Sequence, residues 1–263
     1  MAEGQPAKKA KLDVKYELLY WPSMPGRGEF VRLALEASGV PYKDTANQED
    51  NGIQKMLAVL KDTQSHAPVL CPPLLRVHGD DGPLIISQTP NILLYLGDHE
   101  PVAPATNDKY LVHQYALTAL DLTNEAHNVH HPVAISQYYD DQKPEAVRAA
   151  AEFRGERIPK FFGYFDRALT YNKSSSGGDD RGYAYLVGDK VTYADTTVWQ
   201  VVDGVSFAFP AKVKEMREKG ECKELWAFYD GLKKEEWLSS YLESSRRMKY
   251  SDGIFRYYKE LDV

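Results

Sequence analysis

The sequence predicts a two-part molecule: a small α/β domain followed by an all-α domain. Three observations carry this expectation. An apolar strand pattern near residue 16 runs through a Pro/Gly turn into helical spacing; two short apolar runs at 74–77 and 84–87 flank a Gly/Asp/Pro turn; and beyond a proline-containing stretch at 97–107 only helical periodicity remains. With 263 residues the chain exceeds the commonest single-domain length, so two domains are expected.

The elements follow in order. Residues 16–22 read as a strand, Pro25 and Gly26 as a turn, and residues 29–36 as an amphipathic helix. Gly39 stands where a glycine ends a helix and Pro41 blocks continuation, which leaves residues 42–44 for a second extended segment. Residues 48–61 read as a weaker helix, 74–77 and 84–87 as a hairpin, and 90–96 as a helix that closes the unit. The domain boundaries predicted are a disordered basic tail at 1–13, an α/β domain at 14–97, a linker at 98–106 and an all-α domain at 107–263. Within the last, residues 108–130 and 144–171 have helical spacing, further helices start near Tyr193, Lys212 and Glu224, and Asn172 to Gly182 read as a Ser/Gly/Asp loop tip.

Composition narrows the function. The net charge is −6, with 32 basic against 38 acidic residues, so no basic field draws the chain to nucleic acid or an anionic membrane. No apolar run approaches the roughly 20 residues a transmembrane helix needs. Two cysteines, Cys71 and Cys222, without metal-ligand spacing fit a reducing compartment, and a cytoplasmic protein is expected. The short basic cluster from Pro6 to Asp13 is similar to a nuclear-import signal, and a solvated tail is the simpler reading of it.

Two local features point to a ligand. Thr89 is a good N-cap and Pro90 is pre-set for the first helical turn, so Gln88-Thr89-Pro90 fixes a helix start whose free amides and positive dipole end favour an anion. Cys71-Pro72-Pro73 precedes a strand, where a cis proline turns the preceding residue's backbone outward to pair with a peptide. A residue that must donate its N–H cannot be proline, so the cis bond is expected at Cys71–Pro72; two trans prolines stiffening a loop are the alternative.

At this point the residues 16–36, Tyr-Glu-Leu-Leu-Tyr-Trp-Pro-Ser-Met-Pro-Gly-Arg-Gly-Glu-Phe-Val-Arg-Leu-Ala-Leu-Glu, resemble the first strand and helix of the cytosolic glutathione transferases. Cys71-Pro72-Pro73-Leu74, Ser87-Gln88-Thr89 and Thr192-Tyr-Ala-Asp195 are similar to that family's cis-proline turn, glutamyl-binding pair and helix-capping box, in the same order. The resemblance implies a thioredoxin-like N-terminal domain, a helical-bundle C-terminal domain, a homodimer, and glutathione as co-substrate. Gln88 and Thr89 would hold its γ-glutamyl carboxylate, the Cys71 backbone its cysteinyl amide, and Asp121 its amine. Small apolar electrophiles would enter a second pocket walled by Trp21, His127 and His131.

The implied reaction is attack by the glutathione thiolate. A free thiol has a pKa of about 8.5, so the protein must stabilise the anion, and a hydroxyl beside a helix start does so. Tyr20 and Ser23 are the candidates. Tyr20 aligns with the catalytic tyrosine of the Tyr-type classes if one residue is inserted in the turn, and is favoured over Ser23, which lies nine residues before Arg32. Pro25 stands where those classes often carry Arg, and no cysteine between residues 16 and 36 supports disulfide chemistry. Lys55, Lys61 and His66 are candidate cations for the glycine carboxylate. His127, His130 and His131 share one helical face, but no ligand set is completed, and no metal is expected. Tyr138, Tyr139 and the segment 254–258 offer either a cover for the pocket or core packing, the commoner role of an aromatic stripe, and the segment is given no site role. The rival reading is a binding protein on the same fold without turnover.

Overall fold

A computed structural model describes residues 14–80, 82–175 and 181–263. The basic tail at 1–13 lies outside the described residues. Strand β1 (Tyr16–Leu19) leads to α1 (Gly28–Ser38), β2 (Tyr42–Asp44), the one-turn α2 (Thr45–Gln48) and α3 (Gly52–Lys61). The hairpin of β3 (Leu74–Val77) and β4 (Leu84–Ser87) and then α4 (Thr89–His99) complete this half. Sheet order is β2-β1-β3-β4, with β1 parallel to β2 and antiparallel to β3, and β3 antiparallel to β4.

The period of two divides the sheet between two cores. Tyr16, Leu18, Leu75 and Val77 face the main core with α1 and α4, whereas Leu19 and Leu74 pack on Met56 and Val59 of α3. Glu17 shares the α3 side and stays buried because the Thr45 hydroxyl donates to it at 2.6 Å and Arg76 pairs with it. Gly39 adopts φ 71°, the left-handed conformation that ends α1.

The second half consists of α5 (Asp108–Val129), α6 (Lys143–Glu152), α7 (Ile158–Ser175), α8 (Tyr193–Ala208), α9 (Pro210–Glu218), α10 (Lys223–Leu232) and α11 (Glu236–Glu243). A π-turn, Phe153–Arg157, joins α6 to α7. Helix α8 is buried along nearly its whole length and packs on both α5 and α1. Its start is fixed by Thr192 and Asp195: the Thr192 N–H and hydroxyl each donate to the Asp195 carboxylate at 2.7 Å, and so does the Leu186 N–H. Full burial pushes the Asp195 carboxyl up to about 6 despite those donors. Among the described residues no helix is long and apolar enough to cross a membrane.

Three readings are corrected. The helix expected at 48–61 starts only at Gly52, Gln48 being the last residue of the separate α2, which Gly52 abuts so closely that a Cβ there would lie 2.5 Å from the Ala46 Cα. Asn172 is not in a loop: α7 runs to Ser175, and the Asn172 amide donates to the Tyr185 and Gly188 carbonyls at 2.9 and 2.8 Å, tying the helix to the next segment. The cis bond is Pro72–Pro73, not Cys71–Pro72. The donor criterion failed because the residue ahead of the cis bond is itself proline and offers a ligand only its carbonyl.

Candidate active site

A cavity of about 350 Å³ opens between the two halves. Its walls are the helix start at Gln88, Thr89 and Pro90, the turn at Cys71, Pro72 and Pro73, Arg27 at the head of α1, and Leu117, Leu120, Asp121 and Asn124 of α5. Thus Cys71, Pro72, Gln88, Thr89 and Asp121, far apart in the chain, meet in one place. Arg27, Leu117, Leu120 and Asn124 were not singled out from the sequence. The repeat of residues at 117, 120, 121 and 124 on one helical face was the available signal for the α5 wall.

Gln88 has φ 71° and ψ 121°, a conformation that costs a non-glycine residue about 1–3 kcal/mol. It turns the chain sharply from β4 into α4. Behind it Thr89 is 3 % exposed, and its hydroxyl oxygen has no hydrogen-bond partner among the described residues. A buried hydroxyl without a partner costs about 1–3 kcal/mol, which a ligand acceptor or donor would recover. Two helix starts, those of α1 and α4, border the cavity, so the positive ends of two dipoles meet a single cation there. The Arg27 Nη2 donates to Asn124 Oδ1 at 2.6 Å and bridges α1 to α5 across the opening.

Tyr20 follows β1 and is 6 % exposed, and its ring lies over the turn into α1. A Cβ on Gly28 would stand 2.6 Å from the Tyr20 Cδ1, which explains a glycine there. The Arg27 N–H donates to the Tyr20 hydroxyl at 2.8 Å. Burial pushes the phenol above its ordinary range, outweighing the Arg27 amide and the Arg27 and Arg32 charges that act to lower it. The group is therefore a proton-bearing hydroxyl that touches the backbone of Arg27, a residue of the cavity wall, without itself lining the cavity. Ser23 is exposed, stands at φ 62° and does not line the cavity; its N–H donates to Asn47 Oδ1 at 3.0 Å.

Lys55 is paired with Glu49, and neither it nor Lys61 nor His66 lines the cavity. His127, His130 and His131 cluster at the end of α5 with ring centroids 4.8 to 5.0 Å apart. His130 donates Nε2–H to the Ile254 carbonyl at 2.9 Å, which fixes its neutral tautomer, and burial depresses all three rings. Trp21 is 38 % exposed and no ring contact joins it to them among the described residues. Among the described residues no His/Cys/Asp/Glu group has the form of a metal site.

Residues 127–245 match the family model described as glutathione S-transferase, C-terminal domain. The chain is 24% identical over 200 residues to a glutathione S-transferase of Plasmodium falciparum, covering 75% of this chain and 83% of that one. It is 26% identical over 185 residues to the glutathione S-transferase A4 of Homo sapiens, covering 70% and 71%. A structure titled NaGST-2 aligns with TM-score 0.59 and 24% identity over 90% of this chain and all of that one. The Pi-class glutathione S-transferase of Onchocerca volvulus aligns with TM-score 0.60 and 18% identity over 87% and 92%. These likenesses establish a thioredoxin-like N-terminal domain followed by a helical C-terminal domain. The likeness to glutathione S-transferases thus spans most of the chain, with the C-terminal domain matched at residues 127–245.

Proposed function

We propose that the chain is a glutathione transferase that joins the glutathione thiolate to small apolar electrophiles. The observation that carries this is the cavity in which a strained Gln88, the Thr89 side chain, Pro72 and Arg27 converge beside two helix starts. Gln88 and Thr89 receive the γ-glutamyl carboxylate, the Pro72 carbonyl accepts the cysteinyl N–H, and Asp121 pairs with the amine, here or across a homodimer interface. The Cys71 backbone is thereby replaced as the pairing group.

Tyr20 is the thiolate stabiliser in this reading. Its oxygen accepts from Arg27 N–H, which leaves its own O–H free to donate to sulfur, and its raised pKa keeps that proton in place at neutral pH. The thiol proton leaves for solvent, the sulfur attacks the electrophilic carbon, and a thioether forms as the bond to the leaving group breaks, chloride departing with its electron pair in the case of chloro-dinitrobenzene. Trp21, His127 and His131 wall the electrophile's pocket. The protein acts as a cytoplasmic homodimer, with domain limits at 14–97 and 107–263.

Glutathione binding and chloro-dinitrobenzene conjugation, measured for wild type, Tyr20→Phe and Ser23→Ala, test the reading. Tyr20→Phe is expected to lower kcat/KM by about 10²-fold with glutathione still bound, the loss that follows removal of one oriented donor. Ser23→Ala leaves the rate within about twofold of wild type. Binding without turnover in the wild type would reduce the protein to a glutathione-binding module, and a rate loss confined to Ser23→Ala would transfer the role to that serine.

A further inference from the structure

The cavity contains a nucleophile that transferase chemistry does not use. Cys71 is a free, exposed thiol, and it lines the same cavity as Arg27, Gln88 and Thr89. The other cysteine, Cys222, is half-buried at the start of α10. We propose that Cys71 is a site of reversible mixed-disulfide formation with glutathione, through which glutathione disulfide closes the cavity to free glutathione.

The inference rests on the glutathione-site reading above. What marks the place as a ligand site independently of the thiol is Thr89: its buried hydroxyl has no hydrogen-bond partner among the described residues, and it borders the cavity that Cys71 borders. A glutathionyl group carries carboxylates, and Arg27 with the two helix starts supplies the complementary positive field beside the sulfur. The cavity of about 350 Å³ accommodates one such tripeptide and not two. A covalently held copy therefore excludes a free one.

The chemistry is thiol–disulfide exchange. The Cys71 sulfur, as thiolate, attacks one sulfur of glutathione disulfide; the old S–S bond breaks and a Cys71–glutathione S–S bond forms. The departing glutathione leaves as a thiolate and takes up one proton, balancing the one Cys71 released. Glutathione disulfide is the oxidant, and reduced glutathione or a dithiol reverses the step. Cys222 is a built-in control: burial, with the Asp166 and Glu221 charges, pushes its thiol up to about 12, so it offers almost no thiolate near neutral pH.

The full chain, incubated with glutathione disulfide, is followed by intact mass and peptide mapping, and its glutathione affinity by calorimetry before treatment, after it, and after dithiothreitol. Wild type and Cys222→Ser should gain one glutathionyl group on Cys71, and Cys71→Ser none. The adduct should weaken glutathione binding by about tenfold or more, recovering on reduction, whereas Cys71→Ser should show the same affinity before and after treatment. Normal binding before treatment with no adduct on Cys71, or with an adduct that leaves affinity unchanged, overturns this inference alone. No binding before treatment overturns the proposed function, and this inference with it.

Discussion

Gln88 combines two roles that can be separated by mutation. Its backbone sits at φ 71°, which glycine adopts without cost, and its side-chain amide borders the cavity. Gln88→Gly is expected to raise stability by about 1 kcal/mol while weakening glutathione binding about tenfold, and Gln88→Ala to lose the binding without the gain. Urea denaturation and calorimetry on the two variants check this, and equal stabilities would refute strain at the site. The helix start at Gln88-Thr89-Pro90 and the prolines at 72 and 73 were legible in the sequence because each is a local rule, but the N-cap is Gln88 rather than Thr89, whose hydroxyl caps nothing. Arg27 was not, since its place depends on Asn124, 97 positions away. The position of the cis bond was misread for a related reason: a rule about donors cannot tell which backbone groups a cavity uses.

At the scale of elements, pattern served best where one period ruled. The hairpin strands and the second strand fall where alternation and turn residues put them, and Gly39 ends α1 in the left-handed conformation. Pattern failed where packing or a shifted ladder intervened, as at Gly52 and in the π-turn at Phe153–Arg157, which keeps helical spacing while changing its hydrogen bonds. Helix α5 ends in the histidine cluster, and that end is pH-sensitive. Burial, with Arg256 nearby, depresses His130 to about 3, against about 6.5 in an unfolded chain. The folded state therefore binds fewer protons than the unfolded one between these values, and stability contributed above pH 6.5 is lost as pH falls toward 3. Between pH 7 and pH 4, wild type should lose about 3 kcal/mol more than His130→Gln, in which the amide still donates to Ile254. Parallel denaturation profiles for the two proteins would exclude His130 as the source.

The two halves of the whole molecule are joined by charge as well as by apolar packing. Glu29 and Arg32, both fully buried on α1, pair with each other at 3.0 Å; Arg32 also binds Asp44 at 2.7 Å. From the far end of the chain Tyr241 donates to Glu29 at 2.6 Å, and Arg247 bridges Glu29 to Asp203, the latter at 2.8 Å. Burial opposes the charge on Glu29, but Arg247 and Arg32 outweigh it and hold the carboxyl below its ordinary range. Removing one partner of such a set strands the other: Arg247→Met should cost about 3–5 kcal/mol, and the double variant Arg247→Met with Glu29→Gln less than the sum. A double-mutant cycle by urea denaturation reads the coupling, and additive losses would show that the charges act independently. The same knot sets the terms for recombination. A chimaera cut in the linker after α4 would take Glu29 and Arg32 from one parent and Asp203, Tyr241 and Arg247 from the other, so its success depends on matched charges more than on the splice point.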